Sequence, residues 1–225
     1  MFRSAFRTWR LSLKELPVSK GQSSTHLPVV AIGASAGGLE ACRALLGHMP
    51  DDLPAAVVLI LHLDPTHDSM MVDLLGRRSG LKVVQAADGM ALRAGVLHVI
   101  PPGVFLTISK RVIHLSEPED GKAVRLPFDV LLRSLAKDTG ASSACIVLSG
   151  TGSDGTLGIA DIHAAGGLVI AQEPKEAGYP GLPETAMATG LVSRVLSTDQ
   201  MVPAIENFVS DAPVFAQPHD DAATA

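Results

Sequence analysis

From Leu27 onward the chain alternates short apolar runs with stretches of helical period. Val29 to Ile32 predicts a strand, Leu39 to His48 a helix, Ala55 to Leu61 a strand and Ser69 to Arg77 a helix. This βαβα alternation predicts an α/β fold with a parallel sheet covered on both faces, because strands buried on both sides read as continuous Val, Ile and Leu runs. The texture changes between Val83 and Ser116. Val96 to Ile100, Val104 to Ile108 and Val112 to Leu115 read as short strands separated by Pro-Pro-Gly and Ser-Lys-Arg, which predicts hairpins inserted into the sheet or added at its edge. The alternation then resumes: helix Phe128 to Lys137, strand Ala144 to Leu148, helix Thr156 to Ala165 and strand Leu168 to Ala171. Further helical pieces are predicted near Glu184 to Thr189 and Thr198 to Phe208, and no internal repeat is visible.

The two ends differ from this body. Over residues 1–27, Arg3, Arg7, Arg10, Lys14 and Lys20 stand against Glu15 alone, with Phe2, Phe6, Trp9 and Leu13 at helical spacing. A helix there would carry an apolar stripe beside a basic one, as interfacial anchors do. An isolated helix of that length is marginal in water, so a flexible basic leader is the plainer expectation. Residues 28–210 form the expected globular domain, and residues 211–225, rich in Asp, Ala and Pro, an expected disordered tail.

Composition narrows the class. A chain of 225 residues with 47% hydrophobic and 18% charged residues can bury one proper core. A formal net charge of -5 and 4% aromatics argue against nucleic-acid binding, which needs a basic face or stacking platforms. Cys42 and Cys145 lie in apolar surroundings and read as small buried hydrophobes in a reducing compartment. The longest apolar run, Leu53 to Leu63, is too short for a bilayer, which takes roughly 20 residues. A cytoplasmic protein is expected.

In an open parallel sheet, chemistry gathers in the loops at the carboxyl ends of strands. After Val29 to Ile32 comes Gly33-Ala-Ser35-Ala-Gly-Gly38, a lone serine on a tight small-residue turn that opens a helix. That is the logic of a nucleophile elbow, with a helix N-terminus aimed at the same point. It is equally the logic of a helix cap, and Gly-rich strand-to-helix turns also bind phosphate. The dinucleotide spacing G-x-G-x-x-G is not met by glycines at 33, 37 and 38. His62 directly follows the second strand, where an imidazole can take and return a serine's proton, or be a satisfied core histidine. Gly150-Thr-Gly-Ser-Asp154-Gly155 follows the strand ending at Leu148, and Asp154 there is either the acid that orients an imidazole or a helix cap. The co-occurrence of Ser35, His62 and Asp154, each at the end of its own strand, favours catalysis. His62, Asp64, His67 and Asp68 also crowd one loop, but without helical presentation or a further ligand the expectation is no metal and no cofactor.

The segments Val30-Ala-Ile-Gly-Ala-Ser-Ala-Gly-Gly-Leu-Glu40, Leu61-His-Leu-Asp-Pro65, Val99-Ile-Pro-Pro102, Leu148-Ser-Gly-Thr-Gly-Ser-Asp-Gly-Thr-Leu-Gly158, Ala165-Gly-Gly-Leu168, Ala171-Gln172 and Gly181-Leu-Pro-Glu-Thr-Ala186 together resemble the catalytic domain of CheB, the chemotaxis protein-glutamate methylesterase. Their spelling is most similar to the methylesterase domains fused to methyltransferase and sensory domains. The resemblance, over roughly residues 28 to 208, implies a three-layer αβα fold with a mainly parallel sheet. It implies a serine hydrolase that demethylates glutamate methyl esters on chemoreceptors or related signalling proteins, releasing methanol, and that in some members deamidates glutamines. It implies Ser35 as nucleophile, His62 as general base, Asp154 as orienting acid, and the backbone N–H groups of Ala36 and Thr151 as oxyanion donors. Stand-alone members have Thr, Gln, Met and Met where this chain has Ala36, Leu61, Thr151 and Leu182. They also carry a receiver domain for which the segment before the first strand is too short, so regulation is expected to be absent or to come from another protein, a separate regulator or methyltransferase. The alternative from another class is a weakly active or inactive domain that holds a signalling partner.

Overall fold

The computed structural model describes residues 27–61, 70–77, 79–118 and 126–212. The expected leader over residues 1–26 and the tail from residue 213 lie outside the described residues. In chain order the elements are β1 (Val29–Ala34), α1 (Gly38–Leu46), β2 (Ala56–Leu61), α2 (Met70–Gly76), β3 (Lys82–Gln85), β4 (Val96–Val99), β5 (Phe105–Ser109), β6 (Val112–Ser116), α3 (Pro127–Thr139), β7 (Ser143–Val147), α4 (Thr156–Ala164), β8 (Leu168–Gln172), α5 (Gly181–Ala188), β9 (Arg194–Leu196) and α6 (Thr198–Asp211).

Seven strands make one sheet in the order β3-β4-β2-β1-β7-β8-β9, every pairing parallel. Central β1 and β2 are wholly buried, as is β7, which is why they appear in the sequence as unbroken apolar runs. Val30, Ile32, Val57 and Leu59 pack under α1, α2 and α6, while Val29, Ala31, Val58 and Ile60 pack under α3, α4, α5 and the β5–β6 hairpin. Alternate residues of each strand thus feed opposite cores, the pattern of an αβα sandwich.

The region from Val83 to Ser116 splits in two. β5 and β6 form the expected antiparallel hairpin, turned by Lys110 and Arg111 at positive φ. Val96–Val99, expected as part of a hairpin, instead pairs parallel with both β2 and β3 inside the main sheet. Leu97 and Val99 are buried there against the core that α1 and α2 cover, which fixes the strand as internal. His98 in that strand is also buried, its Nδ1 3.2 Å from the Val57 carbonyl oxygen. Among the described residues, no helix is long and apolar enough to cross a membrane.

From β1 the chain moves first to β2 on one side and later to β7 on the other. β1 is therefore the strand at which the winding reverses. The crevice outside the carboxyl ends of β1 and β7 is where such sheets place their chemistry.

Candidate active site

The β1–α1 turn is held from two directions. Gly37 adopts φ 66 and forms the N-cap of α1, a left-handed conformation that a side chain resists. The Gly38 N–H donates to the Ser35 carbonyl at 2.8 Å, and the Ser35 N–H donates to the Ser149 carbonyl at 3.0 Å. Ser35 is therefore not the helix cap that its sequence position allowed; that place belongs to Gly37. Because the peptide between Ser35 and Ala36 is planar and trans, locking the Ser35 carbonyl toward Gly38 turns the Ala36 N–H the opposite way. Among the described residues, neither the Ala36 N–H nor the Thr151 N–H has a hydrogen-bond acceptor.

The loop after β7 presses against this turn. A Cβ at Gly150 would come within 3.0 Å of the Ser35 Cβ and 2.8 Å of Leu182 Cδ2, so only a hydrogen fits there. Ser149, fully buried, ties the neighbourhood together: its hydroxyl donates to the Ala36 carbonyl at 2.9 Å and accepts the Tyr179 N–H at 3.0 Å. Its own N–H donates to Gln172 Oε1 at 2.8 Å, and the Gln172 amide reaches Glu176, whose carboxylate accepts from the Thr198 N–H and hydroxyl. Buried polar groups satisfied in this way fix a unique arrangement.

Asp154 does not cap the helix that follows it; Gly155 does. Its carboxylate instead accepts the Phe128 and Asp129 N–H groups, each at 3.0 Å, and so completes the N-terminus of α3. Asp129 returns the favour to α4, its Oδ1 accepting the Gly158 N–H at 2.7 Å, while its buried Oδ2 has no hydrogen-bond partner among the described residues. The two helices thus hold each other's first turns through Asp129 and Asp154. Burial pushes the Asp129 carboxyl above its ordinary range, and the charge of Asp154 adds to this, against the N–H of Gly158.

Gly33, Ala34, Ser35, Ile60, Phe128, Thr151, Asp154 and Leu182 line one narrow crevice at the carboxyl ends of β1 and β7. Ser35 and the pair Thr151 and Asp154, singled out in two separate stretches of sequence, are brought together by it. His62 and the histidine and aspartate cluster around it lie outside the described residues. Leu61, the residue before His62, is the register partner of Ala34, the residue before Ser35. Both cysteines are buried, and desolvation raises each thiol, Cys42 to about 12. Among the described residues no cluster of His, Cys, Asp and Glu could hold a metal ion. Sequence reasoning missed Ser149, Asp129 and Tyr179, whose partners lie far along the chain; the motif run around Ser149 was the one signal available.

Comparisons with known proteins point to one family. The model of the CheB methylesterase family matches residues 30–205. An uncharacterized 104.1 kDa protein of Rhodobacter capsulatus is 38% identical over 65% of this chain and 15% of its own length. Protein-glutamate methylesterase/protein-glutamine glutaminase 6 of Anaeromyxobacter dehalogenans is 33% identical over 82% of this chain and 55% of its own length. The Geobacter sulfurreducens protein of the same description, numbered 3, is 36% identical over 78% and 48%. The chain therefore spans about half or less of the length of these relatives. The CheB methylesterase catalytic domain of Thermotoga maritima shares the fold, with a TM-score of 0.74 and 24% identity over 80% of this chain and 98% of that one. With the family model covering most of the chain, including all three strand-end loops, this protein belongs to the CheB methylesterase family.

Proposed function

We propose that the chain is a cytoplasmic serine esterase that hydrolyses glutamate γ-methyl esters on a chemoreceptor or related signalling protein. Ser35 attacks the ester carbonyl while His62 takes the hydroxyl proton; His62 then protonates departing methoxide, and water hydrolyses the acyl-enzyme. Asp154 orients the imidazole and stabilises its charged form. The N–H groups of Ala36 and Thr151, with the N-terminus of α1 behind them, stabilise the oxyanion. A glutamine side chain passing through the same steps would release ammonia, the second activity in the names of the relatives.

The observation that carries this reading is the shared crevice of Ser35, Thr151 and Asp154. The register of Ala34 with Leu61 supports it further, since the residues that follow this pair in the sequence are Ser35 and His62. Asp154→Asn keeps the acceptors for α3 in part but removes the charge that faces an imidazolium. Methanol release should fall by about 10³ or more, measured well below a Tm that the lost acceptor at the N-terminus of α3 lowers. A rate within tenfold of wild type would remove Asp154 from the mechanism.

A further inference from the structure

The chain's single tyrosine stands beside the nucleophile turn and faces solvent. Tyr179 is 50% exposed, in a protein otherwise sparing with aromatics. Its backbone is fixed at both ends of the residue: the N–H donates to the Ser149 hydroxyl at 3.0 Å and the carbonyl accepts the Gly150 N–H at 2.9 Å. Its ring lies against the backbone of Gly37, where an added Cβ would sit 2.9 Å from Cδ2 and 3.4 Å from Cε2. The backbone that carries the ring is therefore held in place, with the Cδ2–Cε2 edge of the ring against the turn that presents Ser35 and half of the residue exposed. The crevice encloses only about 10 Å³, far below the 300–1,000 Å³ of ordinary small-molecule pockets. It is too small to enclose a substrate, so a polypeptide must rest on the rim.

We propose that Tyr179 is the rim contact for the polypeptide that carries the reacting glutamate side chain, binding an apolar residue beside it and so selecting protein esters over small ones. This rests on the esterase reading of Ser35. A preordered aromatic gives contact area at little entropic cost, which is why such rings dominate binding surfaces. The contact is equal in ground and transition states, so its loss appears in KM and leaves kcat in place.

The test compares two substrates: p-nitrophenyl acetate, too small to reach the ring, and a short peptide with one glutamate γ-methyl ester flanked by leucines. Tyr179→Ala should raise KM for the peptide about tenfold, with kcat within about twofold and p-nitrophenyl acetate hydrolysis unchanged. Tyr179→Phe, which keeps the ring, should match wild type, as should Met187→Ser, an exposed apolar site at the far end of α5. Replacing the leucines with serines should reduce the difference between wild type and Tyr179→Ala. Unchanged peptide KM in Tyr179→Ala, or equal losses on both substrates, would overturn the proposal, the second outcome assigning the ring a structural role only. Hydrolysis that persists in Ser35→Ala would instead sink the esterase reading, and this inference with it.

Discussion

Gly33 is a strand residue rather than a turn residue, and its lack of a side chain is a demand of packing. A Cβ placed there would lie 2.2, 2.4 and 2.6 Å from Cε1, Cδ1 and Cζ of Phe128, against about 3.5–4.0 Å for relaxed carbon contacts. The ring has little room to yield: it is 2% exposed, and a Cβ at Gly155 would meet the same Cδ1 at 2.5 Å. Gly33→Ala must therefore shift Phe128 by more than an ordinary repacking, at the upper end of the about 1–3 kcal/mol seen for overpacked cores. For a domain of this size that is a fall in Tm of about 4–10 °C, read by circular dichroism. The displacement also reaches the site, because the Phe128 and Asp129 N–H groups hold the Asp154 carboxylate. Ester hydrolysis should fall even at temperatures where the variant is fully folded. Phe128→Leu makes room for the added methyl, so the double variant should lose less stability than the two single losses added, with a coupling of about 0.5–3 kcal/mol. A Tm within about 1 °C of wild type for Gly33→Ala, or strict additivity, would refute the steric reasoning.

Two further predictions concern pH. The folded chain holds the Asp129 proton more tightly than the unfolded chain, so this group's contribution to stability falls as pH rises from the ordinary carboxyl value through the raised one. Asp129→Asn keeps an acceptor for Gly158, and its stability relative to wild type should improve as pH rises above about 4; a constant difference in urea denaturation would contradict this. His98 has the opposite sign: desolvation lowers its pKa from 6.5, against its backbone hydrogen bond to Val57, so the unfolded chain takes the proton first and stability falls as pH drops below about 6.5. His98→Asn should flatten that part of the curve, and an unchanged slope would remove His98 as its source.

The sequence was informative where burial and local geometry coincide. β1, β2, β7 and β8 were legible because strands buried on both faces leave unbroken apolar runs, Ser35 and Asp154 because loops at strand ends follow from those runs, and Thr151 only through the family resemblance. β3 and β9 passed unnoticed: Lys82–Gln85 and Arg194–Leu196 are short edge strands, only partly buried, with no such run to mark them. β4 was read as hairpin because a four-residue apolar run before Pro101 and Pro102 fits parallel and antiparallel pairing alike, and only its neighbours decide. The bonds that shape the site are longer still. Ser149 reaches Ala36 across 113 residues and Asp129 reaches Gly158 across 29, and neither pairing has any local signature.

Methanol release from a methylated chemoreceptor cytoplasmic fragment at neutral pH, compared between wild type and Ser35→Ala, tests the central claim most directly. Ser35 sits on a turn held by backbone hydrogen bonds, so the alanine variant should fold as wild type does. The account predicts release by the wild type alone. Equal release by both proteins would remove Ser35 as nucleophile, and no release from either, with both folded, would contradict the proposed substrate.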